Sequence, residues 1–184
     1  MNIEFYFLRS SEQKIVTDML YYAQKLNTTT LRLEDIPHLE IYHTFYGLTP
    51  KDFGLYIMQE SVVAGAIWSR RLSDYHNSNA FVDANTPVMQ LAIKPEFRNK
   101  GLGKQMVQQF LQEASSLYDA LSISVADTPE AKKYMEFFGF EVVPNTQHQN
   151  YTNTQEHIIM KITLEKKENK PYEMDDFSQC KWLD

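Results

Sequence analysis

The sequence is poor in cysteine and has no long apolar run. Cys180 is the one cysteine among 184 residues, which excludes an internal disulfide and a zinc site built from paired thiolates. No window approaches the roughly 18 apolar residues that a membrane helix needs, and residues 1–5 lack the basic start of an export signal. We therefore expect no metal site, no membrane partner and a location in the reducing cytoplasm.

Positive charge is also scarce. The chain has 18 lysine and arginine residues against 24 aspartate and glutamate residues, which gives a net charge of -6. Nucleic acid is therefore not an expected partner, because neutralising phosphates requires a basic surface. One stretch differs: between Lys94 and Lys104, four cations accompany a single acid, Glu96. We interpret this stretch as a candidate anion site.

Apolar residues are abundant and follow regular patterns. They make up 43% of the chain, and aromatic residues make up 13%, as is typical of a packed globular domain. Alternating or β-favouring runs predict strands at residues 3–8, 54–58, 62–68, 88–93, 121–125, 140–143 and 157–164. This alternation stops at residue 164, so we predict one domain over residues 1–164 and a polar tail over residues 165–184.

Apolar residues at helical spacing predict three main helices. The first follows a capping box from Ser10 to Gln13, the second runs for about 16 residues from Leu102, and the third occupies residues 129–138. Residues 27–50 are expected to form one or two short helices, and residues 59–61 a three-residue hairpin connection. The element order predicts an α/β fold, with a mixed sheet and helices on both faces.

Turn chemistry marks both ends of the third helix. Thr128 is placed to cap its first turn, with Pro129 at the first helical position. Gly139 is placed to adopt the left-handed conformation that ends many helices.

Residues 97–106, FRNKGLGKQM, form a turn that does not match two common phosphate-binding loops. A nucleotide P-loop has glycine where Arg98 stands, and serine or threonine where Gln105 stands. A dinucleotide-binding loop has its third glycine at the position of Met106. The spacing Arg98-x-x-Gly101-x-Gly103 between a strand and a helix still suits a pyrophosphate, because inward-pointing amides and the helix N-terminus attract anions.

Two motifs stand out in the second half of the chain. Residues 91–103, LAIKPEFRNKGLG, follow the pattern apolar-x-apolar-x-Pro-x-x-Arg-x-x-Gly-x-Gly, and residues 128–140 predict a helix that ends in Gly-Phe. Both motifs resemble those of the GNAT superfamily of acyl-CoA-dependent N-acetyltransferases. Residues 19–23 and 81–83 also look like a little-characterised GNAT subgroup. The resemblance covers roughly residues 3–164 and implies a mostly antiparallel sheet in which a splayed strand pair binds the cofactor.

The resemblance implies acetyl-CoA as the cofactor. Its pantetheine arm would pair with the backbone of the predicted strand at 88–93, where this strand splays from the one at 121–125. A main-chain amide on the same edge would polarise the thioester carbonyl. The implied cofactor-binding residues are Leu91, Ala92, Ile93, Arg98, Asn99, Lys100, Gly101, Leu102, Gly103, Lys104, Thr128 and Ala131.

The catalytic acid and base are less well marked. The tyrosine acid of the family falls on Met135 when counted back from Gly139, so the neighbouring Tyr134 is our candidate acid, with core packing as its alternative role. Val88 occupies the position of the acidic residue that many relatives carry. Candidate bases are Asp83, Glu34, Tyr22 or a chain of water molecules. We interpret two histidines as loop and strand residues: His148 and His157.

The sequence therefore predicts an N-acetyltransferase that passes acetyl from acetyl-CoA to a primary amine of a small molecule or peptide by direct attack. The alternative is a GNAT-like acyl-CoA-binding regulatory module without turnover, which Met135 and Val88 would favour. A third hypothesis, a nucleotide hydrolase, is nearly excluded by Gln105. The acidic charge suggests a cationic acceptor, such as a polyamine, an aminoglycoside-like compound or a peptide amine. Residues 27–50 and 145–155 are expected to set specificity, and a homodimer is a further expected assembly.

Overall fold

Eight strands form a single sheet. The computed structural model describes residues 3–49 and 51–166, so Cys180 and the predicted tail beyond residue 166 lie outside the described residues. The strands are β1 Glu4–Phe7, β2 Phe53–Gln59, β3 Val62–Arg70, β4 Val88–Ile93, β5 Ala120–Ala126, β6 Glu141–Val142, β7 His148–Gln149 and β8 Glu156–Thr163. Their order is β1-β2-β3-β4-β5-β8-β6, with β7 on β8, and all pairs except β4–β5 are antiparallel. The predicted fold class is confirmed.

The parallel pair β4–β5 is joined at one position only. Val88 pairs with Ser122, and no later residue of either strand is paired with the other. The two strands therefore diverge toward their C-terminal ends and leave a gap in the middle of the sheet. This gap is the splay that the family resemblance implied.

Helices cover both faces of the sheet and enclose two cores. Helix α1, Gln13–Ala23, packs on one face with the short helical turns Leu26–Thr28, Leu33–Asp35 and Pro37–Tyr42. Helices α2, Leu102–Ala114, and α3, Pro129–Glu136, pack on the other. Trp68 and Tyr42 anchor the first core, where the indole N–H donates to the Tyr42 carbonyl at 2.9 Å. Within the described ranges, no helix is both long and apolar enough to cross a membrane.

Local structure agrees with the sequence at several turns. Gly139 has a φ of 92°, and Thr128 Oγ1 accepts a hydrogen bond from the Ala131 amide at 3.3 Å, so both predicted caps of α3 are confirmed. The hairpin connection is shorter than predicted, because Gln59 pairs with Val62 and leaves two loop residues. Both have positive φ, 52° and 65°, as the twist-matched two-residue hairpin turn requires.

Three further sequence predictions of local structure are wrong. The predicted Ser10–Gln13 capping box does not form, since Glu12 instead accepts the Arg9 amide at 2.8 Å and Ser10 begins a 3-10 turn. Helix α2 has 13 residues and ends at Ala114 rather than after about 16 residues. The two-residue strand β7 lies where the sequence predicts a loop, because a strand this short has no sequence pattern of its own.

A buried ion pair fixes the segment that follows α1 against the sheet. Arg70 at the end of β3 pairs with Asp52 at 3.1 Å, and both side chains are almost fully buried. The guanidinium also donates to the carbonyls of Ile41 and Thr44, at 3.0 and 2.6 Å. Because these carbonyls lie in the segment that carries Tyr42, the pair positions that tyrosine as well.

We expect Asp52→Ala to lower the free energy of unfolding by about 3 to 5 kcal/mol, because it leaves a buried guanidinium without its counterion. Urea unfolding measures the change. The matched control is Asp18→Ala, which removes the exposed pair between Lys14 and Asp18 and should cost less than about 1 kcal/mol. Equal losses in the two variants would contradict the assigned role of Arg70.

Candidate active site

The turn between β4 and α2 forms a cradle of unpaired amides. Asn99 and Gly101 adopt left-handed φ values of 59° and 78°, which turn the chain sharply into α2. In the described part of the chain, no main-chain amide from residue 99 to residue 104 donates a hydrogen bond. The last three of these amides belong to the first turn of α2, where the helix dipole adds partial positive charge. This arrangement can bind an anion.

Side chains of the turn add positive charge. Arg98 Nε donates to the Ile93 carbonyl at 2.9 Å and ties the turn to the end of β4. The ammonium groups of Lys100 and Lys104 lie 5.3 and 4.1 Å from the ring centroids of Phe97 and Phe137. Neither lysine forms an ion pair within residues 3–49 and 51–166, so both charges are available to an anion.

The backbone of β4 forms one wall of the gap. The Lys94 amide donates to Ala64 of β3, at 2.9 Å. Since backbone groups alternate in direction along a strand, Ala92 also points its amide and carbonyl toward β3, whereas Leu91 and Ile93 point theirs into the gap. Of the three predicted β4 residues, Leu91 and Ile93 therefore present polar backbone groups there.

The backbone of β5 forms the opposite wall. Ser122 donates from its amide to the Pro87 carbonyl at 3.0 Å, so by the same alternation Ser124 and Ala126 also point toward β4. The Ala126 carbonyl accepts the Thr128 amide at 2.8 Å. Thr128 and Ala131 thus lie where this wall meets α3, with the threonine hydroxyl engaged in capping the helix.

Tyr134, rather than Met135, lies beside the gap, next to the turn between β4 and α2. A Cβ at Gly103 would lie 3.0 Å from the Tyr134 hydroxyl and 3.7 Å from Ile93, so the hydroxyl lies between the start of α2 and the end of β4. Met135 is 2% exposed and belongs to the core under α2. Burial raises the pKa of Tyr134, so this hydroxyl keeps its proton at neutral pH.

A cavity of about 70 Å³ lies beside the point where β4 and β5 separate, on the α1 side of the sheet. Its polar lining consists of four side-chain amides, two tyrosines, a serine and a histidine: Gln24, Asn79, Gln90, Asn150, Tyr42, Tyr151, Ser124 and His157. No carboxylate belongs to the described lining. Leu91 lines the cavity as well, so the cavity is continuous with one wall of the gap.

The loop between β7 and β8 closes over this cavity. Tyr151 donates to the Asn77 carbonyl at 3.1 Å and accepts the Asn79 amide at 3.0 Å. Thr152 donates to the Gln24 carbonyl at the end of α1, at 3.1 Å. Tyr42 comes from residues 27–50 and Tyr151 from residues 145–155, so the two segments that the sequence linked with specificity meet here.

Two histidines and a serine form a cluster beside the cavity. Ser124 Oγ lies 2.8 Å from His148 Nε2 and 3.1 Å from His157 Nδ1. His148 Nδ1 lies 2.8 Å from the Thr146 carbonyl oxygen. Burial, together with the nearby His148 and Lys25, lowers the pKa of His157 to about 4, so its imidazole is neutral at neutral pH.

The structure places the three predicted candidate bases away from the cavity. Glu34 pairs with Arg32 at the surface, and Tyr22 lines a separate groove beside Lys94. The Asp83 carboxylate accepts hydrogen bonds from the side chain of Thr86, the amide of Asn85 and the ammonium of Lys161. Burial acts to raise the pKa of Asp83, but these bonds hold it below its ordinary value.

The sequence interpretation missed the histidine cluster. Its one available signal was hairpin spacing, because a tight loop after residue 149 places His148 directly opposite His157. The third member, Ser124, comes from β5, where Ala126 is paired with His157. No local pattern connects that serine to the hairpin.

Comparisons with known proteins agree with this geometry. The sequence model of the family described as acetyltransferase (GNAT) domain matches residues 49–164, more than half of the chain. A search of curated proteins finds no significant match.

Solved structures share the fold at low sequence identity. The yncA protein of Salmonella typhimurium, solved with its cofactor acetyl-CoA, has a TM-score of 0.63 at 16% identity, covering 91% of this chain and 96% of that protein. The ribosomal-protein-S18-alanine N-acetyltransferase of Escherichia coli has a TM-score of 0.61 at 13% identity, with coverages of 93% and 99%. The spermidine/spermine N-acetyltransferase SpeG of Vibrio cholerae, solved in mutant forms, has a TM-score of 0.59 at 13% identity, with coverages of 89% and 95%.

His157 should make the stability of the protein depend on pH. Its folded-state pKa of about 4 lies below the ordinary value of 6.5, so between these values the unfolded chain binds the proton more tightly. We therefore expect wild-type stability to fall, relative to His157→Gln, as pH drops from 6.5 to 4. After allowing for solvent screening of this partly exposed ring, the difference should be about 1 to 2 kcal/mol. Urea unfolding at pH 7 and pH 4.5 measures it; parallel pH profiles would show that His157 titrates normally.

Proposed function

Because the chain belongs to the GNAT acetyltransferase family, we propose that it transfers the acetyl group of acetyl-CoA to a primary amine of a small molecule or peptide. In this proposal the amine attacks the thioester directly, without a covalent intermediate on the enzyme. One observation carries the proposal: the gap between β4 and β5 has a cradle of unpaired amides at its open end and a polar cavity where the strands separate.

The cradle and the gap suit the two parts of the cofactor. The amides of residues 99–104, with Lys100 and Lys104, would bind the pyrophosphate. The carbonyl of Leu91 and the amide of Ile93 would pair with the amides of the pantetheine arm, as a neighbouring strand would, while Arg98 already occupies the Ile93 carbonyl. The thioester would then lie near Leu91, whose amide can stabilise the negative charge that develops on the carbonyl oxygen.

Tyr134 would act as the general acid. Direct attack expels a thiolate, which requires a proton. The Tyr134 hydroxyl is near the end of β4 and retains its proton, because burial raises its pKa. Its position and its protonation state therefore suit the role of a general acid.

The chemistry of the cavity lining indicates which class of amine acceptor would bind. Its four side-chain amides and two tyrosines offer hydrogen bonds but no negative charge, so they suit an amine attached to a polar, amide-bearing body better than a polycation. Similar folds include an S18-alanine N-acetyltransferase and a spermidine/spermine N-acetyltransferase. A peptide amine is therefore our first choice, with a polyamine and an aminoglycoside as the competing acceptors.

A second candidate function is acyl-CoA binding without turnover. Met135 and Val88 are both buried in the cores, so the family positions for the acid and the acidic residue hold inert side chains. A regulatory module that binds acetyl-CoA would have the same cradle and gap.

We test the proposal by thermal shift with acetyl-CoA and by thiol release with spermidine, kanamycin and an alanine-initiated peptide. Acetyl-CoA at 100 times its Kd should stabilise the protein by about 2.7 kcal/mol, or about 5 to 10 °C in Tm, whereas ATP should give a smaller shift. Thiol release with at least one amine supports the enzyme. Stabilisation without release from any of them supports the binding module instead.

The variant Gly103→Val tests the site of binding. Its side chain would enter the groove toward Tyr134, so the shift with acetyl-CoA should disappear. The control is Gln108→Val, which introduces the same side chain on an exposed position of α2 and should leave the shift intact. An unchanged shift in Gly103→Val would contradict our placement of the cofactor.

Tyr134→Phe should lower kcat by about 100-fold, because it removes the acid and leaves the ring in place. The KM for acetyl-CoA should change little. Tyr75→Phe, which alters a 75% exposed tyrosine, is the control. If Tyr134→Phe leaves kcat unchanged, Tyr134 has only a packing role.

A further inference from the structure

The hydrogen bonds beside the cavity run in one direction. A carbonyl oxygen only accepts, so His148 Nδ1 carries the hydrogen that it shares with Thr146. In the neutral ring Nε2 is then the acceptor, and the Ser124 hydroxyl donates to it. Because that hydroxyl has one hydrogen, its oxygen accepts the Nδ1–H of His157. The network thus assigns the tautomer of both histidines.

The chain of hydrogen bonds ends at an unused lone pair. With the hydrogen on Nδ1, Nε2 of His157 is a bare acceptor. This atom is buried and has no hydrogen-bond partner among the described residues, which is costly for a polar group unless a ligand satisfies it. The ring lines the cavity, so a donor placed in the cavity is the natural partner.

We propose that His157 Nε2 is the general base that accepts the proton of the acceptor amine, and that Ser124 and His148 are positioning residues that hold it in the required tautomer. This inference rests on the proposed acetyl transfer. As the amine nitrogen forms its bond to the acetyl carbon, its acidity rises and its proton passes to Nε2. The carbon–sulfur bond breaks with its electron pair on sulfur, and the thiolate takes a proton from Tyr134.

The same three groups can spread the positive charge that results. When Nε2 of His157 gains a proton, the hydrogen on Nδ1 can move to Ser124, whose own hydrogen moves to His148. Every heavy atom keeps its position, and the two hydrogen bonds to Ser124 are kept. His148 lies on β7, which pairs only with β8 in the described sheet, so the charge reaches the edge of the molecule, where solvent can remove the proton.

The charged and titratable groups near His157 support a base role. His148 from β7 and Lys25 from the turn after α1 act on it electrostatically, and Tyr42 and Tyr151 are the other titratable groups in the described lining. Burial raises the pKa of Tyr42 well above its ordinary value, so this tyrosine keeps its proton. His157 is therefore the unprotonated group of the described lining at neutral pH.

The kinetic test compares His157→Gln with wild type, using the best amine of the panel above. We expect kcat to fall about 100- to 1,000-fold, with the acetyl-CoA thermal shift unchanged. The acidic limb of the wild-type kcat/KM profile should be absent from the variant. His76→Gln, in the 3-10 turn Asp74–His76 and not part of the described cavity lining, is the control and should behave as wild type.

An NMR test needs no acceptor. Long-range nitrogen–proton spectra should show the Nδ1–H tautomer for His157 in wild type. Ser124→Ala should increase the Nε2–H form and lower kcat about 10-fold, with a shifted acidic limb. His148→Gln should produce the same changes in weaker form, since its effect passes through the serine.

The outcomes separate this inference from the proposed function. Wild type inactive with every amine would overturn the proposed function and the base role with it. An active wild type with kcat in His157→Gln within about threefold would overturn the base role alone, because a general base contributes at least about 100-fold. An Nε2–H tautomer for His157 in wild type would also overturn it. The Nδ1–H tautomer with the large loss of kcat supports it.

Discussion

The structure depends on one interruption of hydrogen bonding, the separation of β4 from β5 after the pair Val88–Ser122. Everywhere else the long strands pair along their lengths, as buried backbone groups require. At the separation two strand edges are left open in the middle of a sheet, a position that normally attracts another strand. A ligand with its own amides can take that place. The gap therefore organises the site: the cradle lies at its open end, and the cavity and the histidine cluster lie where the two strands separate.

Other groups of the protein satisfy some of the backbone carbonyls that the separation leaves unpaired on β4 and on β5. Arg98 occupies the Ile93 carbonyl on β4, and the Thr128 amide occupies the Ala126 carbonyl on β5. Two cores pack against the two faces of the sheet, and the core under α2 contains residues of both β4 and β5, so it holds the separated strands in place. The open edges therefore persist as a preformed groove, so little ordering would be needed when a cofactor binds.

Much of the fold and half of the site follow from local sequence. The predicted strand at 88–93 is β4 to the residue, and the caps at Thr128 and Gly139 form as expected, because turn chemistry and side-chain alternation act within a few residues. The amide cradle also follows from local sequence, since its glycines and cations lie within a few consecutive residues. The short strand β7, by contrast, forms only through its pairing with β8 and has no sequence pattern of its own, and there the sequence prediction is wrong.

The sequence by itself determined the family, the main strands and helices and the glycine-containing turn before α2, because each is encoded by neighbouring residues whose spacing matches one local geometry. Only the tertiary structure decided which side chains share the cavity. Ser124 and His157 are 33 residues apart and meet through the register of β5 on β8. That register is selected by the burial of whole strand faces, an energy summed over the core that no short stretch of sequence contains.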